Sequence, residues 1–242
     1  CANVLLVMLM PSVGPWAYGV AILFGIATGF ILGVIHTKLK IPSFIASLGM
    51  MNVYNSLALL LTPSPVMIAK AERTYIAWGK EKFGVVGAIT IAAVIVMIVL
   101  HLVQKRTVIG KSISLTGANE RTARISGINV SATKIFAFTI CGMTSAMAGI
   151  LLAIKLQSSA PTVGTPFTLQ AVAAVLLGGT AMTGGKGSVL MTLVGVLIVT
   201  AIENGMTIIG VDAFWSQIVF GSLTIVAMFL TTDRSVKNLI VK

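Results

Sequence analysis

The chain consists of long apolar stretches separated by short polar intervals. The clearest stretches cover residues 16–35, 41–61, 85–103, 135–154 and 189–209. Each has about 20 residues, which at about 1.5 Å per residue matches a hydrocarbon core roughly 30 Å thick. Because lipid offers the backbone no hydrogen-bond partner, such stretches must be helical. The sequence therefore predicts an all-α, polytopic transmembrane helical bundle.

Three weaker apolar segments complete this pattern. Residues 1–10 are interpreted as the end of a span, and residues 214–231 as the last span. Residues 167–182 are only 16 in number, and a helix of that length covers about 24 Å, so we expect it in the interior of the bundle. The alternative is a lipid-facing helix in a locally thinned bilayer.

Composition excludes a soluble globular domain, because 57% of the residues are hydrophobic, 10% are charged and the mean hydropathy is +1.02. The net charge of +11 does not indicate nucleic-acid binding, since the basic residues lie at the ends of apolar stretches. The two cysteines do not form a disulfide framework. The chain begins inside an apolar run, so residues 1–242 are interpreted as one transmembrane domain that lacks N-terminal spans.

The distribution of Lys and Arg orients the predicted spans, because positively charged loops stay on the cytoplasmic side. Placing residues 105–134 inside fixes every other loop by alternation. Twelve of the 17 basic residues then lie inside, and five lie outside: Lys70, Arg73, Lys80, Lys82 and Lys155. Trp16, Trp78 and Trp215 also fall on the outer side, where interfacial indoles are common. This topology requires residues 167–182 to cross the membrane.

Residues 105–134 form the only long polar interval that carries many positive charges. Apolar or small residues recur there at helical spacing, opposite a more polar set, and this predicts a short two-faced helix. The first set is Leu115, Ala118, Thr122 and Ile125, and the second is Asn119, Glu120, Ala123 and Arg124. Gly127 supplies a helix stop. Two interpretations remain open, a solvated cytoplasmic loop or a docking helix for a soluble partner.

Few residues are candidates for nucleotide binding, ion coupling or substrate binding. The segments Gly178-Gly179-Thr180 and Gly184-Gly185-Lys186-Gly187-Ser188 lack the spacing of a nucleotide-binding loop. Glu203 is the one carboxylate within a predicted span, and it is either an ion-coupling site or a side chain that reaches water or neighbouring backbone. Three side-chain amides lie in apolar surroundings, where we expect them either to form interhelical hydrogen bonds or to bind substrate. These amides are Asn52, Asn55 and Gln170.

Two ordered blocks of sequence are familiar. The first is Gly117-Ala-Asn-Glu-Arg-Thr-Ala-Arg-Ile-Ser-Gly-Ile-Asn-Val130. The second is Ala171-Val-Ala-Ala-Val-Leu-Leu-Gly-Gly-Thr180, followed by Gly184-Gly-Lys-Gly187, Asn204-Gly205 and Gly210-Val211. With Ile41-Pro-Ser-Phe-Ile45 upstream, the chain resembles the membrane permease of ribose-type (monosaccharide) ABC importers. Branched-chain amino acid permeases share this family, and the resemblance extends from about residue 15 to residue 232.

The resemblance implies a permease subunit that forms the translocation pathway for a monosaccharide or a similar small polar solute. It implies a second permease subunit, a cytoplasmic pair of ABC ATPase subunits that hold ATP and Mg²⁺, and a periplasmic or extracellular sugar-binding protein. This chain would bind no cofactor, catalyse no reaction and lie in the lipid of the bacterial cytoplasmic (inner) membrane. The alternative is an ion-coupled secondary transporter that uses Glu203.

The resemblance also assigns residues. It makes residues 105–134 the cytoplasmic coupling loop, which docks on the ATPase. The coupling residues would be Gly117, Asn119, Glu120, Arg121, Ala123, Arg124, Ser126 and Gly127. Residues expected along the translocation pathway are Phe44, Asn52, Asn55, Gln170, Gly178, Gly179, Thr180 and Asn204. Met191 stands where the family commonly has glycine, so looser or shifted packing is expected there.

Overall fold

The computed structural model describes residues 1–69, 72–83 and 86–231. Over these residues the chain forms eleven α-helices: α1 (Ala2–Val13), α2 (Ala17–Lys38), α3 (Ser43–Leu61), α4 (Arg73–Ile76), α5 (Ala88–Arg106), α6 (Val108–Ala118), α7 (Glu120–Ile125), α8 (Val130–Leu156), α9 (Phe167–Leu177), α10 (Val189–Ile209) and α11 (Ala213–Thr231). Short strands are β1 (Val66–Met67), β2 (Lys82–Phe83), β3 (Val86–Gly87) and β4 (Ser158–Ser159). β1 pairs with β4 and β2 with β3, both antiparallel.

Five helical segments of the described chain are long and apolar enough to cross a membrane. They are residues 2–38, which hold α1 and α2, together with α3, α5, α8 and α10. The predicted all-α polytopic bundle is confirmed, and most predicted spans agree with the helices to within a few residues. The predicted start of the fourth span at residue 85 lies outside the described residues, as do Lys70, Arg234, Lys237 and Lys242.

The helices belong to two compact units. The first contains residues 1–96 and 129–164, and the second contains residues 97–128 and those from 165 onward. The core of the first unit includes Leu6, Met10 and Ile154. The core of the second unit joins α9, α10 and α11 through Ala174, Val199 and Phe220.

Close contact between α2 and α8 organises the first unit. Gly25, Gly29 and Gly33 follow one another at four-residue spacing on α2, and all three are buried. A methyl group added at Gly29 would overlap the carbonyl oxygen of Phe138, and one added at Gly142 would overlap the carbonyl oxygen of Gly25. The backbones therefore touch directly, which is how small residues allow membrane helices to associate.

Helix α9 is shorter than predicted. It ends at Leu177 instead of residue 182, so its 11 residues cover about 16 Å, roughly half of the hydrocarbon core. Gly179 stops the helix with a φ of 74°. The N–H of Gly179 donates to the Leu176 carbonyl at 2.9 Å, and that of Thr180 donates to the Val175 carbonyl at 3.2 Å. This closing pattern is a Schellman motif. Helix α9 alone therefore does not span a bilayer.

Replacing Gly29 by alanine tests the contact between α2 and α8. We expect Gly29→Ala to destabilise the detergent-solubilised protein by about 2 kcal/mol or more, because the new methyl group has no room. Gly19→Ala is the matched control on the same helix, since nothing lies within 4 Å of a methyl group there. Thermal unfolding followed by tryptophan fluorescence measures both. Equal melting temperatures for the two variants would contradict the close contact.

Candidate functional site

The segment expected to form one two-faced helix forms two helices instead. Helix α6 ends at Ala118, α7 begins at Glu120, and Asn119 between them is extended. The Asn119 side chain accepts a hydrogen bond from the Thr122 N–H at 3.0 Å. Asparagine favours such caps because its side chain competes with the backbone for hydrogen bonds. The prediction of a single helix over this segment is therefore wrong.

The predicted stop of this segment is confirmed. Gly127 has a φ of 79°, and the Ile128 N–H donates to the Ala123 carbonyl at 3.0 Å. Glycine adopts this left-handed conformation without a steric penalty. Helix α7 is thus bounded by a side-chain cap at Asn119 and by a glycine turn at its end.

The structure shows which side of α7 is buried, a point that the sequence leaves open. Ala123 is only 2% exposed, whereas Ile125 is 80% exposed. Arg121 and Arg124 are exposed as well. The break at Asn119 ends the continuous helical register that grouped Leu115 with Ile125, so the buried side of α7 is the one that carries Ala123. An exposed isoleucine beside two arginines remains on the surface.

The glycine-rich segment before α10 packs against the end of α6. A methyl group added at Gly117 would lie 2.7 Å from the backbone nitrogen of Gly185, and one added at Gly184 would lie 2.6 Å from the Gly117 carbonyl oxygen. Gly184 and Gly185 have φ values of 90° and 77°, which residues with side chains rarely adopt. The two sequence blocks that carry the family resemblance therefore meet within the second unit.

Gln104 connects the same segment to α5. Its Nε2 donates to the Gly187 carbonyl at 3.1 Å, and its Oε1 accepts from the Val189 N–H at 3.0 Å. One side-chain amide thus holds backbone groups on both sides of Ser188, the residue that precedes α10. Sequence reasoning did not single out Gln104. Its position in the sequence could have indicated a structural role, because it is an amide in the last turn of an apolar span, directly before Lys105 and Arg106.

The eight residues expected along the translocation pathway fall into both units. Phe44, Asn52 and Asn55 lie on α3 in the first unit, and the first two are exposed. The other five lie in the second unit: Gln170, Gly178, Gly179, Thr180 and Asn204. Their role as pathway residues stays a prediction.

Two of the predicted pathway residues in the second unit have close partners on α10. A methyl group added at Gly178 would lie 2.6 Å from the Met191 carbonyl oxygen, so the backbones are close at Met191 and the expected looser packing is absent from this contact. Gln170 Nε2 donates to Glu203 Oε1 at 3.0 Å. Gln170 therefore makes the interhelical hydrogen bond that was one of its two interpretations.

The fold is that of a multi-pass α-helical membrane protein. In its second unit, the glycine-rich segment before α10 contacts the end of α6 through backbone atoms. The chain matches, over residues 1–228, the family described as "Branched-chain amino acid transport system / permease component". It belongs to this family, which confirms the resemblance seen in the sequence. It is accordingly a multi-pass protein of the bacterial cytoplasmic membrane.

Individual relatives are similar over most of this chain. The ribose import permease protein of Bacillus subtilis (strain 168) is 34% identical over 204 residues, which cover 84% of this chain and 63% of the relative. The ribose import permease protein of Escherichia coli (strain K12) is 34% identical over 223 residues, or 90% of this chain and 69% of the relative. The galactose/methyl galactoside import permease protein of Haemophilus influenzae (strain ATCC 51907 / DSM 11121 / KW20 / Rd) is 31% identical over 238 residues, or 94% and 71%. No solved structure shows a significant match.

Changing Gln104 to glutamate tests its role in holding the segment before α10. The carboxylate can still accept from Val189, but it cannot donate to the Gly187 carbonyl. We expect hydrogen exchange of the amides at residues 184–189 to rise about tenfold, which corresponds to about 1.4 kcal/mol of lost local stability. Gln217→Glu, an exposed position on α11, is the control. Unchanged exchange in Gln104→Glu would show that the amide does not hold the segment.

Proposed function

We propose that the chain is a transmembrane subunit of an ATP-binding-cassette importer and forms the translocation pathway for a monosaccharide or a similar small polar solute. The observation that carries this proposal is membership of a transport permease family combined with the likeness to ribose and galactose import permeases. The family description refers to branched-chain amino acids. A sugar is favoured because the names of these similar relatives refer to sugars.

The α6–α7 segment is the proposed docking site for a cytoplasmic ATPase subunit. Helix α7 presents the exposed Ile125, Arg121 and Arg124. A large apolar side chain flanked by arginines is typical of a protein interface, where arginine is enriched and exposed apolar groups lose contact with water. The cap at Asn119 and the stop at Gly127 fix the shape of α7 before a partner binds.

A few residue contacts link this proposed docking site to the membrane-spanning helices of the second unit. Asn119 follows Gly117 and Ala118, which contact Gly184 and Gly185. Gln104 holds the same segment at the start of α10. Closure of an ATPase dimer on ATP would move α7 and bias the inward–outward equilibrium, provided that the closed dimer binds one of the two states more tightly.

The chain itself would contribute no nucleotide site and no catalysis. ATP and Mg²⁺ would bind the partner ATPase dimer, a second permease subunit would complete the pathway, and a periplasmic or extracellular binding protein would deliver the solute. Glu203, the residue of the ion-coupled alternative, already accepts a hydrogen bond from Gln170. That contact gives it a packing role between α9 and α10.

Reconstitution tests the proposed function directly. The full-length chain is placed in proteoliposomes with its ATPase and binding protein, and uptake of labelled D-ribose, D-galactose and D-xylose is measured. We expect uptake of at least one sugar that requires both ATP and the ATPase. Uptake driven by a pH gradient without the ATPase would instead establish the secondary transporter and overturn the proposal.

Reversing one charge on α7 tests the docking site. We expect Arg124→Glu to reduce recovery of the ATPase in co-purification about tenfold. The glutamate would lose the attraction of Arg124 to an acidic group of the ATPase and would be repelled by that group. Permease yield should not change, since Arg124 is exposed. Lys155→Glu makes the same charge change at an exposed position at the end of α8 and should leave recovery unaltered. Equal recovery from both variants would remove α7 from the interface.

A further inference from the structure

A cavity of about 320 Å³ lies within the first unit, between α2, α3 and α8. This volume is at the lower end of the range for small-molecule sites. Helix α3 contributes Ser47, Met50, Met51 and Tyr54, whose spacing places them on one face of the helix. Phe44, Asn52 and Asn55, the α3 residues expected from the sequence to line the pathway, are not among the residues that line this cavity.

The glycines of the contact between α2 and α8 lie at the edge of this cavity. Gly25 and Gly29 from α2 and Gly142 from α8 are among its lining residues. A methyl group added at Gly25 or Gly29 would overlap atoms of α8. These glycines therefore hold α8 directly against α2 beside the cavity.

Hydroxyl groups line the cavity from all three helices. They belong to Thr28 on α2, Ser47 and Tyr54 on α3, and Ser145 on α8. Tyr54 Oη is buried and has no hydrogen-bond partner among the described residues. A buried polar group left in this way costs about 1–3 kcal/mol, and a ligand with a hydroxyl group would remove that cost. Thr28 Oγ1 donates to the Gly25 carbonyl at 2.9 Å, so its lone pairs remain able to accept.

Aromatic rings provide the apolar part of the lining. Phe24 and Tyr54 form an edge-to-face pair with ring centroids 6.0 Å apart, and Phe138 adds a third ring from α8. None of the described side chains that line the cavity is charged. The lining thus suits a neutral molecule that carries several hydroxyl groups and has one apolar face. An acyl chain would leave the hydroxyl groups without partners.

We propose that this cavity is a substrate-contact site for a neutral polyhydroxylated solute, of which a monosaccharide is the simplest example. The proposal rests on the function proposed above and adds the residues that touch the solute. Tyr54 Oη exchanges a hydrogen bond with one sugar hydroxyl, while Thr28, Ser47 and Ser145 bind others. The C–H face of the sugar packs on the rings of Phe24 and Phe138.

Protection of Cys141 provides a direct binding test. Cys141 lines the cavity and is a free cysteine with an exposed side chain. In a full-length chain with Cys141 as its only cysteine, a water-soluble methanethiosulfonate reagent should modify this thiol. We expect D-ribose, D-galactose or D-xylose to slow the modification about tenfold at about ten times its Kd. Glycine betaine, which carries no hydroxyl group, controls for solvent effects at equal osmolarity, and labelling that no sugar slows would contradict the site.

Two tyrosine variants test the same site by transport. Tyr54→Phe removes only Oη, and we expect the sugar carried per ATP hydrolysed to fall about tenfold because one hydrogen bond to substrate is lost. Tyr75→Phe makes the same change at a residue that is 42% exposed and does not line the cavity, and it should transport normally. Ser145→Leu, which fills the cavity, is the second variant in case Tyr54→Phe is not recovered as a folded protein.

The outcomes separate the two proposals. A wild-type complex that takes up none of the three sugars with ATP overturns the importer function and the site together. A wild-type complex that transports a sugar, with transport unaltered in Tyr54→Phe and Ser145→Leu and no protection of Cys141, overturns the site alone. Loss of transport in these variants together with protection of Cys141 supports both.

Discussion

Direct contact between helix backbones is the interaction on which this structure depends. In lipid, two apolar helices gain little by leaving their surroundings, so they associate where small residues let their backbones touch. Such contacts occur between α2 and α8 at Gly29 and Gly142, and between α9 and α10, where a methyl group added at Gly195 would overlap the Ala174 carbonyl oxygen. The first contact lies beside the hydroxyl-lined cavity. The second positions the short helix α9 and the glycine-rich segment that follows it.

The irregular backbone between α9 and α10 has hydrogen-bond partners within the protein. Between α9 and α10 the chain turns through residues 178–188, and the Ala181 N–H donates to the Lys186 carbonyl at 3.0 Å. Gln104 supplies two further hydrogen bonds. Such internal pairing is what allows non-helical backbone at membrane depth or at its edge. It also explains why glycines and the amide of Gln104 mark the junction with α6.

Sequence reasoning succeeded for features that depend on local properties. Span positions follow from the length of apolar stretches, and the stop at Gly127 follows from the conformational freedom of one residue. It failed at Asn119, because helical spacing continues unchanged through a residue that caps a new helix. It also missed Gln104 and Tyr54, whose roles exist only when distant helices meet. The spacing of Gly25, Gly29 and Gly33 was visible in the sequence, but nothing local identified α8 as the partner.

The shortness of α9 has a consequence for biosynthesis. Membrane insertion during translation selects segments by the total apolarity of about 20 residues, and the 11 residues of α9 are too few to meet that requirement alone. Helix α10 follows after a short turn and packs on α9 through Gly195. The two helices are therefore expected to leave the ribosome separately but to enter the bilayer as a hairpin. The timing of synthesis, as well as the final packing, would then determine whether this half of the protein assembles.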